Sequence, residues 1–163
     1  VIKWMQDTLD RKHLDWLAAL SFKGGMEEIE FAHASLECCD GRFWPYVLDP
    51  NSAQFHFYCQ TKKYSASGHT HIPLLVRHCS TTSTFELLRN MIVDSRENEK
   101  IMINPGAVGQ PRDFDARASA AIFDFNRRSI SYIRAEYDVV KAQKDIIRAR
   151  LPEQLASRLS SGL

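Results

Sequence analysis

The run Gly68-His69-Thr70-His71-Ile72-Pro73 sets two imidazoles two residues apart, entered through a glycine and closed by a proline. Alternate residues of an extended turn project to the same side of the backbone, so this spacing predicts two side chains that leave together. Neutral ring nitrogens in such a pair can hold a transition metal. The same pair can equally consist of solvated or hydrogen-bonded histidines. The preceding Tyr64-Ser65-Ala66-Ser67 reads as a strand, which sets the pair at a strand's carboxyl end, where open α/β sheets place their sites. A third imidazole, His33, ends the alternating stretch Glu27 to His33.

Three histidines at strand ends suggest one rim, because two strands joined through an intervening helix point the same way. Imidazoles suit zinc, manganese or iron, but a centre holding two dications about 3.5–4 Å apart also needs anionic ligands. No carboxylate near His33 or His69 has an obvious ligand spacing, and Asp40 and Asp49 are the remaining ones to consider. Downstream, Asn104 to Asp113 contains two glycines and two prolines, so its main chain can pass close to a ligand or form a tight structural turn. Within it Arg112 offers a fork that matches phosphate.

The elements that position these groups follow from periodicity. Trp4 to Leu20 carries apolar residues largely at helical spacings and predicts an amphipathic helix, broken near Thr8, that packs on a neighbour. Lys23-Gly24-Gly25 reads as punctuation after it. Cys38 to Leu48 is an aromatic loop whose Trp44 and Tyr46 either line a pocket or cover the core edge. Asp49-Pro50 predicts a helix start, with His56 on the helix and without a metal role. Strands are expected at Leu74 to His78, Thr84 to Leu88, Met91 to Val93 and Lys100 to Ile103, then a hairpin of Arg117 to Phe125 and Ser129 to Tyr137. Helices from Asp138 to Arg150 and from Pro152 to Gly162 end the chain.

Length and composition bound the rest. The 163 residues suit a single domain, residues 1–163, and at a net charge of +1 no global field points to nucleic acid or an anionic membrane. The longest apolar stretches fall well short of the roughly 18 residues a span requires. Cys38, Cys39, Cys59 and Cys79 lack a CxxC spacing and fit reduced thiols of a cytoplasmic protein. The chain starts on Val1 with no basic leader before an apolar core, so a processed product or part of a longer polypeptide is expected.

Phe31-Ala32-His33-Ala34-Ser35, the GHTH run, Ile103-Asn104-Pro105-Gly106-Ala107-Val108-Gly109-Gln110-Pro111-Arg112-Asp113 and the Tyr137-Asp138 tail together resemble the carboxyl-terminal half of the calcineurin-like metallophosphoesterases. The resemblance is nearest to the bacterial branch labelled diadenosine tetraphosphatase-like or serine/threonine phosphatase-like. It implies an α/β fold, a four-layer α/β/β/α sandwich of which this chain is the carboxyl-terminal part. It also implies a hydrolase that cleaves a phosphoester, in some members a nucleotide, by metal-bound hydroxide at a dinuclear centre of manganese, iron, zinc or nickel. By this resemblance His33 and His69 are ligands of the second metal and His71 is a ligand of the first; Arg112 is read as a phosphate contact.

The resemblance also marks what is missing. The family's DxH, GDxxxxG and GNHD/E motifs, which supply the bridging aspartate, the asparagine ligand and a leaving-group histidine, do not occur in this sequence. The chain alone is therefore expected to be inactive, with the amino-terminal half of the same domain as its partner. Two other accounts stand beside this one: a catalytically inactive binding or scaffold module on the same fold, or a single structural zinc on the three histidines.

Overall fold

The computed structural model describes residues 1–37, 41–88 and 97–163. In chain order its elements are helices α1 (Ile2–Thr8) and α2 (Arg11–Ala18), strands β1 (Lys23–Met26) and β2 (Ile29–Ala32), helix α3 (Gln54–Cys59), and strands β3 (Tyr64–Ser67), β4 (Pro73–Cys79), β5 (Thr84–Leu87), β6 (Glu99–Pro105), β7 (Ala118–Asp124) and β8 (Ser129–Ala135). Helices α4 (Val139–Arg148) and α5 (Glu153–Ser157) and a 3-10 turn over Arg158–Ser160 follow.

Ile101, Met102 and Ile103 form an uninterrupted apolar run, and a strand of that kind must be covered on both faces. Accordingly β6 lies inside a six-stranded mixed sheet of order β1-β2-β3-β6-β4-β5, while β7 and β8 pair separately. Alternation along the strands sorts the side chains into two cores. On one face Ile29, Tyr64, Leu75, Ile101 and Ile103 meet Ile130 and Phe123 of the hairpin. On the other, Leu74, Val76 and Met102 meet Ala53 and Phe57 around α3 together with Val47. The α/β expectation is met by this large mixed sheet.

Strand β2 pairs parallel with β3, and β3 pairs parallel with β6. The crossover through α3 thus brings the carboxyl ends of β2 and β3 side by side, as the histidine spacing anticipated. A buried polar network pins this unit. Because Leu36 N–H donates to His56 Nδ1 (3.2 Å), the proton of the neutral ring sits on Nε2, which donates to Ser65 Oγ (2.8 Å). Ser65 in turn donates to Gln60 Oε1 (2.9 Å), and the Gln60 amide reaches the carbonyls of Lys62 and Lys63. Burial pushes the His56 pKa down to about 4.

Glu30 is a second buried anchor. Burial works to raise its pKa, yet the ammonium of Lys23 (2.7 Å) and the amides of Thr61 (2.6 Å) and Lys62 (2.9 Å) outweigh it and hold the carboxylate ionised.

Several element boundaries differ from the sequence reading. The amphipathic stretch breaks beside Thr8, as expected, into two helices on either side of Leu9-Asp10; what differs is that neither contributes a buried residue. Lys23-Gly24-Gly25 lies inside β1, because antiparallel pairing with β2 satisfies a backbone that its side chains alone would not commit to a strand. Helix α3 begins at Gln54 rather than beside Pro50: the Asp49 carboxylate accepts from Ser52 N–H (2.8 Å) and caps a turn instead. The segment Met91 to Val93 lies outside the described residues, as do Cys38, Cys39 and Asp40. The hairpin, α4 with its Asp138 cap on Lys141 N–H (2.8 Å), and α5 lie where periodicity put them.

Candidate metal centre

His33 follows β2 directly and Gly68 follows β3, and Gly68 N–H donates to His33 C=O at 2.9 Å, clasping the two strand ends together. This clasp brings two rings into contact. His33 Nε2 and His69 Nδ1 face each other at 3.1 Å, with ring centroids 5.0 Å apart.

The turn that aims His69 is not the extended one its spacing suggested. His69 has φ +64° and His71 φ +63°, and Thr70 N–H donates to Gly68 C=O at 2.7 Å. A two-residue hydrogen bond around a left-handed, non-glycine centre is the rare and strained γ-turn. Strain of this sort costs about 1–3 kcal/mol and survives only where neighbours over-determine it. Here the neighbour is Asn104. Its amide donates to Gly68 C=O (2.9 Å) and Thr70 Oγ1 (2.8 Å), while its own Oδ1 accepts from Gly106 N–H (3.0 Å). Tyr132 Oη donates to the carbonyls of Leu74 (3.0 Å) and Asn104 (3.2 Å) beneath it. Asn104 is a positioning residue that spacing did not single out, although an asparagine entering Pro-Gly is a turn signal.

His71 is oriented by main chain. A carbonyl can only accept, so His71 Nδ1 carries the proton given to Gln110 C=O (2.7 Å), and Nε2 keeps its lone pair in the neutral ring. Metal-ligating histidines are commonly braced in this way by a carbonyl on the far nitrogen. Gln110 was invisible in the sequence as a site residue, since it acts through its backbone. In return Arg112 N–H donates to His71 C=O (3.2 Å). The Arg112 guanidinium is turned onto Gln110 Oε1 through Nε (3.1 Å) and Nη2 (2.8 Å), so its fork is occupied by a neutral acceptor.

Aromatic residues wall the histidines. Trp44 meets His33 edge to face at 5.2 Å between centroids, and Tyr46 lies 4.4 Å from the His69 ring. Both loop residues thus contact the candidate histidines. Phe22 packs on Trp44 at 5.6 Å and, with Leu17, Leu20 and Phe31, lines a cavity of about 400 Å³ beside His33. The wall removes water. Burial, and next the neighbouring His33 charge, depresses the pKa of His69 against a hydrogen bond that its ring donates to the Trp44 backbone carbonyl. Burial also depresses His71, and the Gln110 carbonyl and the Arg112 charge act on it in opposite senses. Both shifts favour the neutral ring, the form that binds metals.

The donor set can be tested against a metal. Two nitrogens bound to one tetrahedral ion at about 2.0–2.1 Å lie about 3.3 Å apart, close to the 3.1 Å between His33 and His69. The pair fits one ion. The set is nevertheless all imidazole: Asp49 is committed to Ser52, and among the described residues no group of three or more His, Cys, Asp or Glu side chains is arranged to hold a metal. Cys59 and Cys79 are free thiols.

Comparisons with known proteins bear on the fold. No family model matches the chain. It is 42% identical over 167 aligned residues to an uncharacterized protein of Methanocaldococcus jannaschii, covering 99% of this chain and 64% of that protein. Among solved structures it is similar to a metallophosphoesterase from Sphaerobacter thermophilus, at 31% identity and TM-score 0.85, covering 99% of this chain and 65% of that one. A hypothetical protein from Pyrococcus horikoshii shares the fold at 16% identity and TM-score 0.69, over 96% of this chain and 57% of the other. The chain thus has the metallophosphoesterase fold and spans a little under two thirds of the length of these relatives. Among the described residues no helix is long and apolar enough to cross a membrane.

Proposed function

We propose that this chain carries the histidine side of a metal-dependent phosphoesterase site, in which His33 and His69 hold one divalent ion and His71 offers its Nε2 to a second. The observation that carries this reading is the 3.1 Å approach of His33 Nε2 and His69 Nδ1 at two parallel strand ends. When bound, such ions supply Lewis-acid stabilisation of phosphoryl oxygens and lower the pKa of water.

The chain's own residues do the rest. The strained turn and Asn104 fix the His69 ring, and the Gln110 carbonyl fixes the His71 tautomer. Trp44 and Tyr46 limit solvent around both strand ends. Arg112 orients a phosphate by exchanging the Gln110 amide oxygen for a charged acceptor, a stronger partner for a guanidinium.

The anionic ligands that a two-ion centre needs belong, in this reading, to the polypeptide length that the relatives have beyond the part this chain spans. The partner is therefore the remainder of the same domain, the substrate a phosphoester with nucleotides as one class, and the setting cytoplasmic.

Metal content and hydrolysis of bis(4-nitrophenyl) phosphate, measured on the chain alone and on the chain joined to that remaining length, test the proposal. About two metals and turnover only in the longer form are expected. A longer form that takes up metal and turns over no phosphoester, yet captures a protein, would replace the enzyme with a scaffold on the same fold. A single zinc whose removal unfolds the chain would make the three histidines structural.

A further inference from the structure

The loop that braces His71 is itself held from outside the site. Phe114 sits at φ +65°, is 81% exposed and donates its N–H to Gly162 C=O at 3.0 Å. Gly162 is also left-handed, at φ +66°, and is buried. A methyl group added there would stand 2.6 Å from Asp115 N and 2.9 Å from the carbonyl carbons of Phe114 and Asp115. Those are backbone atoms, so no side-chain rotation relieves the overlap. From the same turn, Arg158 Nη1 approaches Gln110 Oε1 at 3.5 Å. Arg134 pairs with Asp113 and Arg117 with Asp115 (2.7 Å), which leaves the loop little room to rearrange.

We infer that Gly162 is a positioning residue for His71: by admitting close contact with Phe114-Asp115, the Arg158–Gly162 turn presses Gln110 to Arg112 against His71 from the side opposite the site. The path is continuous in hydrogen bonds and short covalent steps, from Gly162 C=O to Phe114 N–H, along two residues to Arg112 N–H on His71 C=O, and through Gln110 C=O to His71 Nδ1. A left-handed glycine lets two segments approach where any side chain would wedge them apart. The catalytic consequence rests on the phosphoesterase reading, whereas the mechanical coupling does not.

The test compares two imidazole N–H protons in the full-length protein by NMR exchange: His71 Nδ1–H, bonded to Gln110, and His56 Nε2–H, bonded to Ser65 in the core. Gly162→Ala should speed His71 exchange about tenfold or more while His56 stays within about twofold. Gly24→Ala, at a position with no atom within 4 Å of the added methyl, should move neither. An unchanged His71, or acceleration of both histidines together, would overturn the inference, the second because it reports a general loss of stability. If Gly162→Ala does not fold, wild-type amide exchange decides: Phe114 and Arg112 opening together, within about threefold, supports the coupling, and Arg112 opening while Phe114 stays protected overturns it. In an active protein, kcat/KM for the aryl diester should fall about tenfold or more in Gly162→Ala. A wild type that cleaves no phosphoester sinks the phosphoesterase reading and leaves the exchange comparison to decide the coupling alone.

Discussion

Two clusters built around histidines lie on the same βαβ unit, and they are built on opposite principles. His56 is fully buried on a regular helix, and both ring nitrogens are satisfied, by Leu36 N–H and Ser65 Oγ. His33 and His69 lie at the open rim, with nitrogens turned on each other and the second residue on a left-handed backbone. One cluster completes its hydrogen bonds within the fold. The other spends backbone strain to set two ring nitrogens face to face at the rim, a direction a ligand site can use and a core does not need. Residue type therefore says little here; burial and backbone strain separate the two roles.

The comparison can be broken at either end. On the proposed phosphoesterase reading the largest effect is expected from His69→Ala, which in the longer form should lower kcat/KM about a thousandfold, equivalent to about 4 kcal/mol. Its melting temperature should stay within a few degrees of wild type, and a collapse of stability instead would make the rim pair structural. His56→Ala should do the reverse. Losing the ring leaves a cavity and breaks the hydrogen bonds to Leu36 N–H and Ser65 Oγ, at a cost of about 3–4 kcal/mol in denaturant unfolding, and an intact stability would deny His56 its core role.

Acidity sharpens the same contrast. With a folded pKa of about 4 against an ordinary value of 6.5, His56 disfavours protons in the native state. The unfolded chain therefore binds more of them between these limits. Stability is complete above about pH 6.5 and falls by about 3 kcal/mol as pH drops toward 4. The depressed pKa values of His69 and His71 add in the same direction, and the carboxylate of Glu30, lowered below its ordinary value, is lost only at still lower pH. His56→Gln, uncharged throughout, should flatten most of the slope in urea titrations across this range; a slope that survives would place its origin at the rim.

Smaller changes probe the strain. Asn104→Ala removes two amide bonds that hold the turn and should cost about 2 kcal/mol, and it should lower activity beyond what its stability loss explains. His69→Gly relieves the left-handed backbone and should raise stability by about 1 kcal/mol while abolishing metal uptake at that position. If it destabilises instead, the turn is not strained as its geometry indicates.

Much of this was legible in advance because it depends on short-range pattern. The strands at Tyr64 to Ser67 and Lys100 to Ile103, the alternating hairpin and the helix from Asp138 each follow from residues within one element. The glycines of β1 were misread because their strand is imposed by pairing with β2 rather than by their own preference. The late start of α3 depends on where its cap settles, which neighbouring residues decide. The extended turn proposed for the histidine pair failed for a similar reason: Asn104, thirty-odd residues away, stabilises a γ-turn that local preference disfavours.

Sequence alone determined which groups could do chemistry here: three imidazoles at strand ends, one guanidinium, and a glycine- and proline-rich loop able to approach them. Tertiary structure decided their use. It set His33 and His69 nitrogen to nitrogen, gave His71 its tautomer through a main-chain carbonyl, and turned Arg112 onto Gln110. The division has a physical cause, since donor type is a property of a side chain whereas direction is a property of the backbone, and the backbone at this rim is held by contacts between segments far apart in the chain.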